Sequence, residues 1–168
     1  VYDMVSFYRL AQTGQLWDTS NLADCEYGDE QKFMRQMYNN SYRYADNIKK
    51  TYEKTVNTAN YPNSTLARQM AAVARLIKGR LGTKVYMVSI GGFDTHVNQV
   101  GAHETLLSRI AESVKAFFDD LNADQEVADN TLVMTISEFG RRLPQNGTAG
   151  TDHSSAAPVL MWGNGGIG

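Results

Sequence analysis

Residues 84–96 read KVYMVSIGGFDTH, and the change of pattern inside that stretch decides the fold. Lys84 to Ile90 is short, rich in β-branched and apolar residues, and closes on Gly91-Gly92, so it reads as a buried strand. Downstream, Ala102 to Leu121 carries Leu106, Leu107, Ile110, Val114, Phe117, Phe118 and Leu121 on one side and charges on the other, the pattern of an amphipathic helix. Thr131 to Ser137 (TLVMTIS) is a second apolar strand and Pro158 to Trp162 (PVLMW) a third. Strand, helix and strand at this spacing form a βαβ unit with a right-handed crossover and parallel strands. The expected class is α/β.

Upstream the period is helical. Val1 to Leu10 reads as a short helix, and Gly14 to Asp29 as a polar loop. From Glu30 to Val56, the residues Phe33, Met37, Tyr44, Ile48, Tyr52 and Val56 recur mostly at four-residue steps, predicting a long helix with these on its core face. Asn57 to Asn63, with Pro62, breaks it. Ser64 is placed to cap a further helix with Leu66, Met70, Val73, Ala74 and Ile77 on one face, stopped by Gly82. Residues 1–82 are therefore a helical portion and 83–168 an α/β portion, expected to belong to one domain.

With 168 residues and a hydrophobic fraction of 42%, the chain can fill one core. A net charge of −2 provides no basic field for nucleic acid or an anionic membrane. The single cysteine, Cys25, cannot close an internal disulfide and reads as an inert thiol. No run of about 18 apolar residues offers a membrane span. The chain starts at Val1 and stops on GNGGIG just after an apolar run, which reads as a piece of a longer protein whose targeting segment could lie upstream.

In open parallel sheets, ligands collect at the carboxyl ends of the strands. There the sequence places Gly91 to His96, Glu138 to Arg142, and Gly150 to His153. Asp94 and His96 stand two apart, so in an extended segment a carboxylate and an imidazole face one cation. His153 supplies a third ligand, and two imidazoles with a carboxylate leave positions open for water or substrate, as catalytic metal sites do. Asp152 is either a further ligand or the N-cap of a short helix. Glu138 binds a second cation or orients a histidine. Arg141 and Arg142 suit a tetrahedral oxyanion, or form a surface salt-bridge cluster with Glu138. A lone D-x-H triplet also caps helices and braces turns, and His103 reads as serving its helix terminus or meeting solvent. Zinc, manganese or iron would suit such a ligand set, with zinc or manganese the expected cofactor.

The order GGFDTH, helix, TLVMTISEFGRR, Asn146 and GTDHSSAAP, over roughly residues 64–168, resembles exported bacterial proteins of unknown function, often bearing a twin-arginine signal, placed near the alkaline phosphatase and sulfatase superfamily. The resemblance implies a parallel-sheet sandwich of the alkaline-phosphatase-like type, present here as a partial domain with a helical N-terminal portion. It implies an Asp/His pair of one metal site at Asp94 and His96, the late histidine of that site at His153, and an acidic ligand of a second site at Glu138. Relatives have Asp-His where this chain has Glu138-Phe139, a departure that touches the second site. The nucleophile and first acidic ligand would precede Val1, so the piece itself is expected to be inactive. The implied activity is metal-dependent hydrolysis of phosphate or sulfate esters in an exported, periplasmic or extracellular protein. The alternative is a catalytically silent exported binder of metal or an anionic glycan. The expected partner is thus a small anionic ester or glycan, and the sequence does not indicate an oligomeric state.

Overall fold

The computed structural model describes residues 4–164. The first residues of the helix expected at 1–10, and the end of the Gly-rich terminus, lie outside them. The chain forms two compact units, one of residues 1–56 with 75–85 and the other of residues 57–74 with 86–168.

In the first unit, α1 (Met4–Thr13) packs on α2 (Glu26–Glu53). Buried Asn39 clamps the intervening loop, accepting from the Trp17 amide at 2.8 Å and donating to the Trp17 carbonyl at 2.8 Å. Because that loop and α1 cover the Asn39 side of α2, the face expected to be core divides along its length. Ile48 is buried, whereas Phe33, Met37, Tyr44 and Val56 are exposed. The four-residue period located the helix, and the packing partner selected a different face.

α3 (Thr65–Lys78) is capped as expected, with the Ser64 hydroxyl accepting from the Ala67 amide at 3.1 Å. It ends before Gly82, where Arg80 takes a left-handed φ of 59° and the Leu81 amide reaches back to the Leu76 carbonyl at 3.1 Å. Its residues through Ala74 belong to the second unit. There Leu66, Ala67, Met70 and Val73 of α3, Leu106, Val114, Phe117 and Leu121 of α4 (Gln99–Leu121), and Val127 and Ala128 of α5 (Gln125–Asp129) are buried. Asp120 of α4 is buried with them. Its carboxylate accepts from Asn57 Nδ2 at 2.6 Å, the Thr58 amide at 2.7 Å, the Thr58 hydroxyl at 2.8 Å and the Tyr61 hydroxyl at 3.1 Å. These bonds tie the break between α2 and α3 to α4.

The strand segments depart from the expected parallel arrangement. Among the described residues, 84–90 joins no β-ladder. β1 (Leu132–Met134) pairs antiparallel with β4 (Met161–Gly163), in the register Val133↔Trp162. Between them the chain makes a short antiparallel pair, β2 (Gly140–Arg141) with β3 (His153–Ser154), then returns. No helix lies between β1 and β4 to carry the chain back to the starting end, so it returns in the opposite sense. Leu132, Met134 and Ile136 are exposed, while the alternating Val133 and Thr135 are partly buried.

Candidate metal centre

Three segments are tied together by backbone bonds before any side chain is considered. β2 and β3 set Arg141 opposite His153. An antiparallel bridge sets Val97 opposite Ala149; beside it the Asn98 amide donates to Thr148 O at 3.1 Å and the Gln99 amide to Ala149 O at 2.9 Å. The approach is so close that a Cβ on Gly150 would lie 2.1 Å from the His96 carbonyl carbon, and one on Gly140 would lie 1.7 Å from the Ala156 oxygen. Only glycine fits at either place. Asn146 completes the frame, accepting from the Thr148 and Gly150 amides and donating to His96 O at 3.0 Å, and the Thr148 hydroxyl donates to the same oxygen at 2.6 Å.

On this frame Asp94, His96 and His153 bring three ligand atoms to one point. His96 Nε2 is 2.9 Å and His153 Nε2 2.6 Å from Asp94 Oδ1, and the two Nε2 atoms are 3.2 Å apart. Ligand atoms on a tetrahedral ion at zinc–nitrogen bond lengths stand about 3.3 Å apart, so this triangle accepts a divalent ion once its shortest edge opens by about 0.7 Å. The side chains of Asp94, His96 and His153 are 61%, 44% and 47% exposed, so an ion held here keeps positions open to solvent.

Asp152 stands outside the triangle. Its Oδ1 lies 3.6 Å from His96 Nδ1, the ring nitrogen turned away from the cluster, where a carboxylate favours a proton on Nδ1 and a free lone pair on Nε2. Arg141 donates from Nη1 to Asp94 Oδ1 at 3.2 Å, from Nε to the Thr151 hydroxyl at 3.0 Å and from Nη2 to Thr151 O at 2.6 Å. Phe139 stacks flat on the His153 ring, centroids 4.2 Å apart and planes within 8°. Glu138 is exposed and makes no hydrogen bond or ion pair with a described residue. Arg142 is also exposed, its backbone amide donating to Asp152 O at 2.8 Å. His103 meets Phe93 edge to face at 5.8 Å.

The hydrogen bond to His153 is the largest influence on the Asp94 carboxyl; desolvation, next in size, opposes it, and the charge of His96 and the bond from Arg141 add to it, so that the carboxyl lies below its ordinary value. A depressed carboxyl is ionised, as a ligand must be, at any pH above the ordinary carboxylate range. Sequence reasoning missed Phe139, Asn146 and Thr148 as working parts. Only the Asn146-Gly147 turn signal hinted at the frame.

The family model described as "Protein of unknown function (DUF1501)" matches residues 6–167. The chain belongs to that family. No curated protein and no solved structure matches the chain. The DUF1501 match runs across both units, so the helical first unit is as much part of the family as the loops that carry Asp94, His96 and His153. No helix among the described residues of this DUF1501 chain is long and apolar enough to cross a membrane.

Proposed function

We propose that this chain carries the metal site of a metal-dependent hydrolase acting on phosphate or sulfate esters. We place it in a parallel-sheet sandwich of the alkaline-phosphatase-like type and in an exported, periplasmic or extracellular protein. The observation that carries the reading is the convergence of Asp94 Oδ1, His96 Nε2 and His153 Nε2 from loops almost sixty positions apart. Such a ligand set suits zinc or manganese and leaves positions open. When bound, the ion would polarise an ester oxygen and stabilise developing negative charge. Arg141 uses three of its five N–H groups on Asp94 and Thr151, leaving two to meet an oxyanion beside Asp94. The sandwich is supported by the apolar runs at 84–90 and 131–137 in the sequence, which suit strands buried on both faces, although Val85 and Met87 of the first run and Leu132, Met134 and Ile136 of the second are uncovered on one side. Export rests on the family resemblance of the motifs.

A catalytically silent exported protein that holds metal or an anionic glycan is the second reading. Phe139 favours it, because it stacks on His153 at a position where the superfamily resemblance implies a histidine, while Glu138 makes no hydrogen bond or ion pair with the three converging residues. Metal analysis of the full-length protein after dialysis, followed by assays on aryl phosphates and aryl sulfates with Asp94→Ala and His153→Ala alongside, separates the readings. The hydrolase reading expects about one equivalent of metal or more, and turnover lost in both variants. Metal retention without turnover, together with glycan binding, selects the second. Turnover that survives both substitutions overturns the site.

A further inference from the structure

The outward face of α2 is apolar and uncovered over most of its length. Tyr27, Phe33, Met34, Met37 and Tyr44 are each half or more exposed, and Tyr38 more than a third. At 3.6 residues per turn these six lie within about 140° of the helix circumference, opposite buried Asn39. Farther along, Ala45, Ile48 and Thr51 continue the same face and are buried. One continuous face is therefore covered at its C-terminal end and open for about five turns before it. Methionine and aromatic side chains are also those that protein interfaces favour.

The open stretch has the size of an interface. With about 200 Å² for a whole residue of this kind, the six expose roughly 650 Å². That exceeds the largest patch of about 300–600 Å² on a typical monomer and approaches the ~800 Å² that each partner gives a standard interface. Trp17, also exposed, meets Tyr38 edge to face at 6.3 Å and widens it. The order of the six residues is the same from either end. Tyr27 and Tyr44, Phe33 and Tyr38, and Met34 and Met37 are pairs equally distant from the midpoint between Arg35 and Gln36. Asp29 and Arg43, on one flank of the stripe, sit at nearly mirrored positions about that midpoint.

We infer that this face of α2 binds the same face of a second copy of the chain, with the two helices antiparallel about a two-fold axis. A two-fold interface needs a surface that matches itself when turned end for end, and the mirrored order supplies one. Met34 of each copy then meets Met37 of the other at the centre, and Tyr27 meets Tyr44 at both ends. Asp29 of each copy comes beside Arg43 of the other, and the helix dipoles oppose. A parallel pairing would forgo both the charge match and the opposed dipoles. The interface uses none of the three residues of the metal centre, so it stands or falls apart from the reading above.

Sedimentation equilibrium of the full-length protein tests it. A dimer with Kd at or below about 10 µM is expected, weakened at least about a hundredfold in Met34→Glu, which sets an unpaired carboxylate against the apolar centre twice over. Met34 is exposed on a helix, so that variant keeps its fold, which an unchanged far-UV spectrum verifies. Orientation is read separately by mild oxidation in a Cys25→Ser background. Mixed Tyr27→Cys and Tyr44→Cys proteins should cross-link to one another in excess of either with itself. A dimer untouched by Met34→Glu, or Tyr27→Cys cross-linked mainly to itself, would overturn the assignment. So would a monomer at that concentration: a urea midpoint lowered by Met34→Glu would then give the face to a segment of the same chain, and an unchanged midpoint would leave it as bare surface.

Discussion

Two carboxylates of the second unit show what convergence of polar groups means in different surroundings. Asp120 is fully buried, and among its partners are Asn57, Thr58 and Tyr61, neutral donors that give it four hydrogen bonds. Asp94 is 61% exposed and meets two imidazoles and a guanidinium, all able to carry charge. A buried carboxylate must be satisfied where it stands, so its neighbours exist to hold the fold. An exposed one could be satisfied by water, so three nitrogen-bearing side chains gathered on it invite a ligand.

The largest effect expected from that contrast is on stability. Asp120→Ala strands the Asn57, Thr58 and Tyr61 donors and should lower unfolding free energy by on the order of 4 kcal/mol, measured by urea denaturation. Asp94→Ala should leave the urea midpoint nearly unmoved while abolishing metal uptake. Equal destabilisation by the two would erase the contrast.

Next is the frame around Asp94. Gly150→Ala drives a methyl group into the His96 carbonyl and should cost on the order of 3 kcal/mol together with loss of metal binding. Retention of wild-type metal affinity by that variant would show that the 96/150 approach is dispensable. A smaller effect is expected at Asp152, which bears on the tautomer of His96. Asp152→Asn should weaken metal affinity by about tenfold, read by competition with a chromogenic chelator, and leave stability unchanged. A loss as complete as that in Asp94→Ala would instead make Asp152 a ligand.

The smallest lies on the Asp120 side. Burial, then the Asp120 charge and its hydrogen bond, push the Tyr61 phenol well above tyrosine's ordinary value of 10.0. The fold therefore prefers the protonated phenol. Its contribution is complete below that ordinary value and is lost as pH climbs toward the raised folded value. Tyr61→Phe should cost about 1 kcal/mol at neutral pH and flatten the alkaline decline in stability. An unchanged decline would assign it to other groups.

The helices were legible because apolar spacing is a local property. α3 falls within the segment marked by Leu66 and its successors, whereas α2 begins at Glu26, inside the stretch expected as loop, and α4 begins at Gln99, ahead of Ala102. Which face is buried was less legible, since it depends on a partner, and Phe33 and Met37 ended in solvent. Strand pairing is non-local, so the apolar runs located β1 and β4 but not their antiparallel register. The five-residue α5 was missed because it is too short to show a period; its mark was Asp124, whose side chain caps the Val127 amide. At the site, the D-x-H spacing and GTDH gave the three converging residues. Asn146, Thr148 and Phe139 act through loop conformation, which no periodicity encodes.

The bonds to Asp120 also order events in time. They join residues 59 to 63 positions apart, whereas the helices they connect close contacts only four positions long. Helical turns form within about a microsecond, and long loops close later at an entropic cost. The Asp120 contacts are therefore expected to form late, in which case Asp120→Ala should accelerate unfolding while the refolding rate stays close to that of the parent chain.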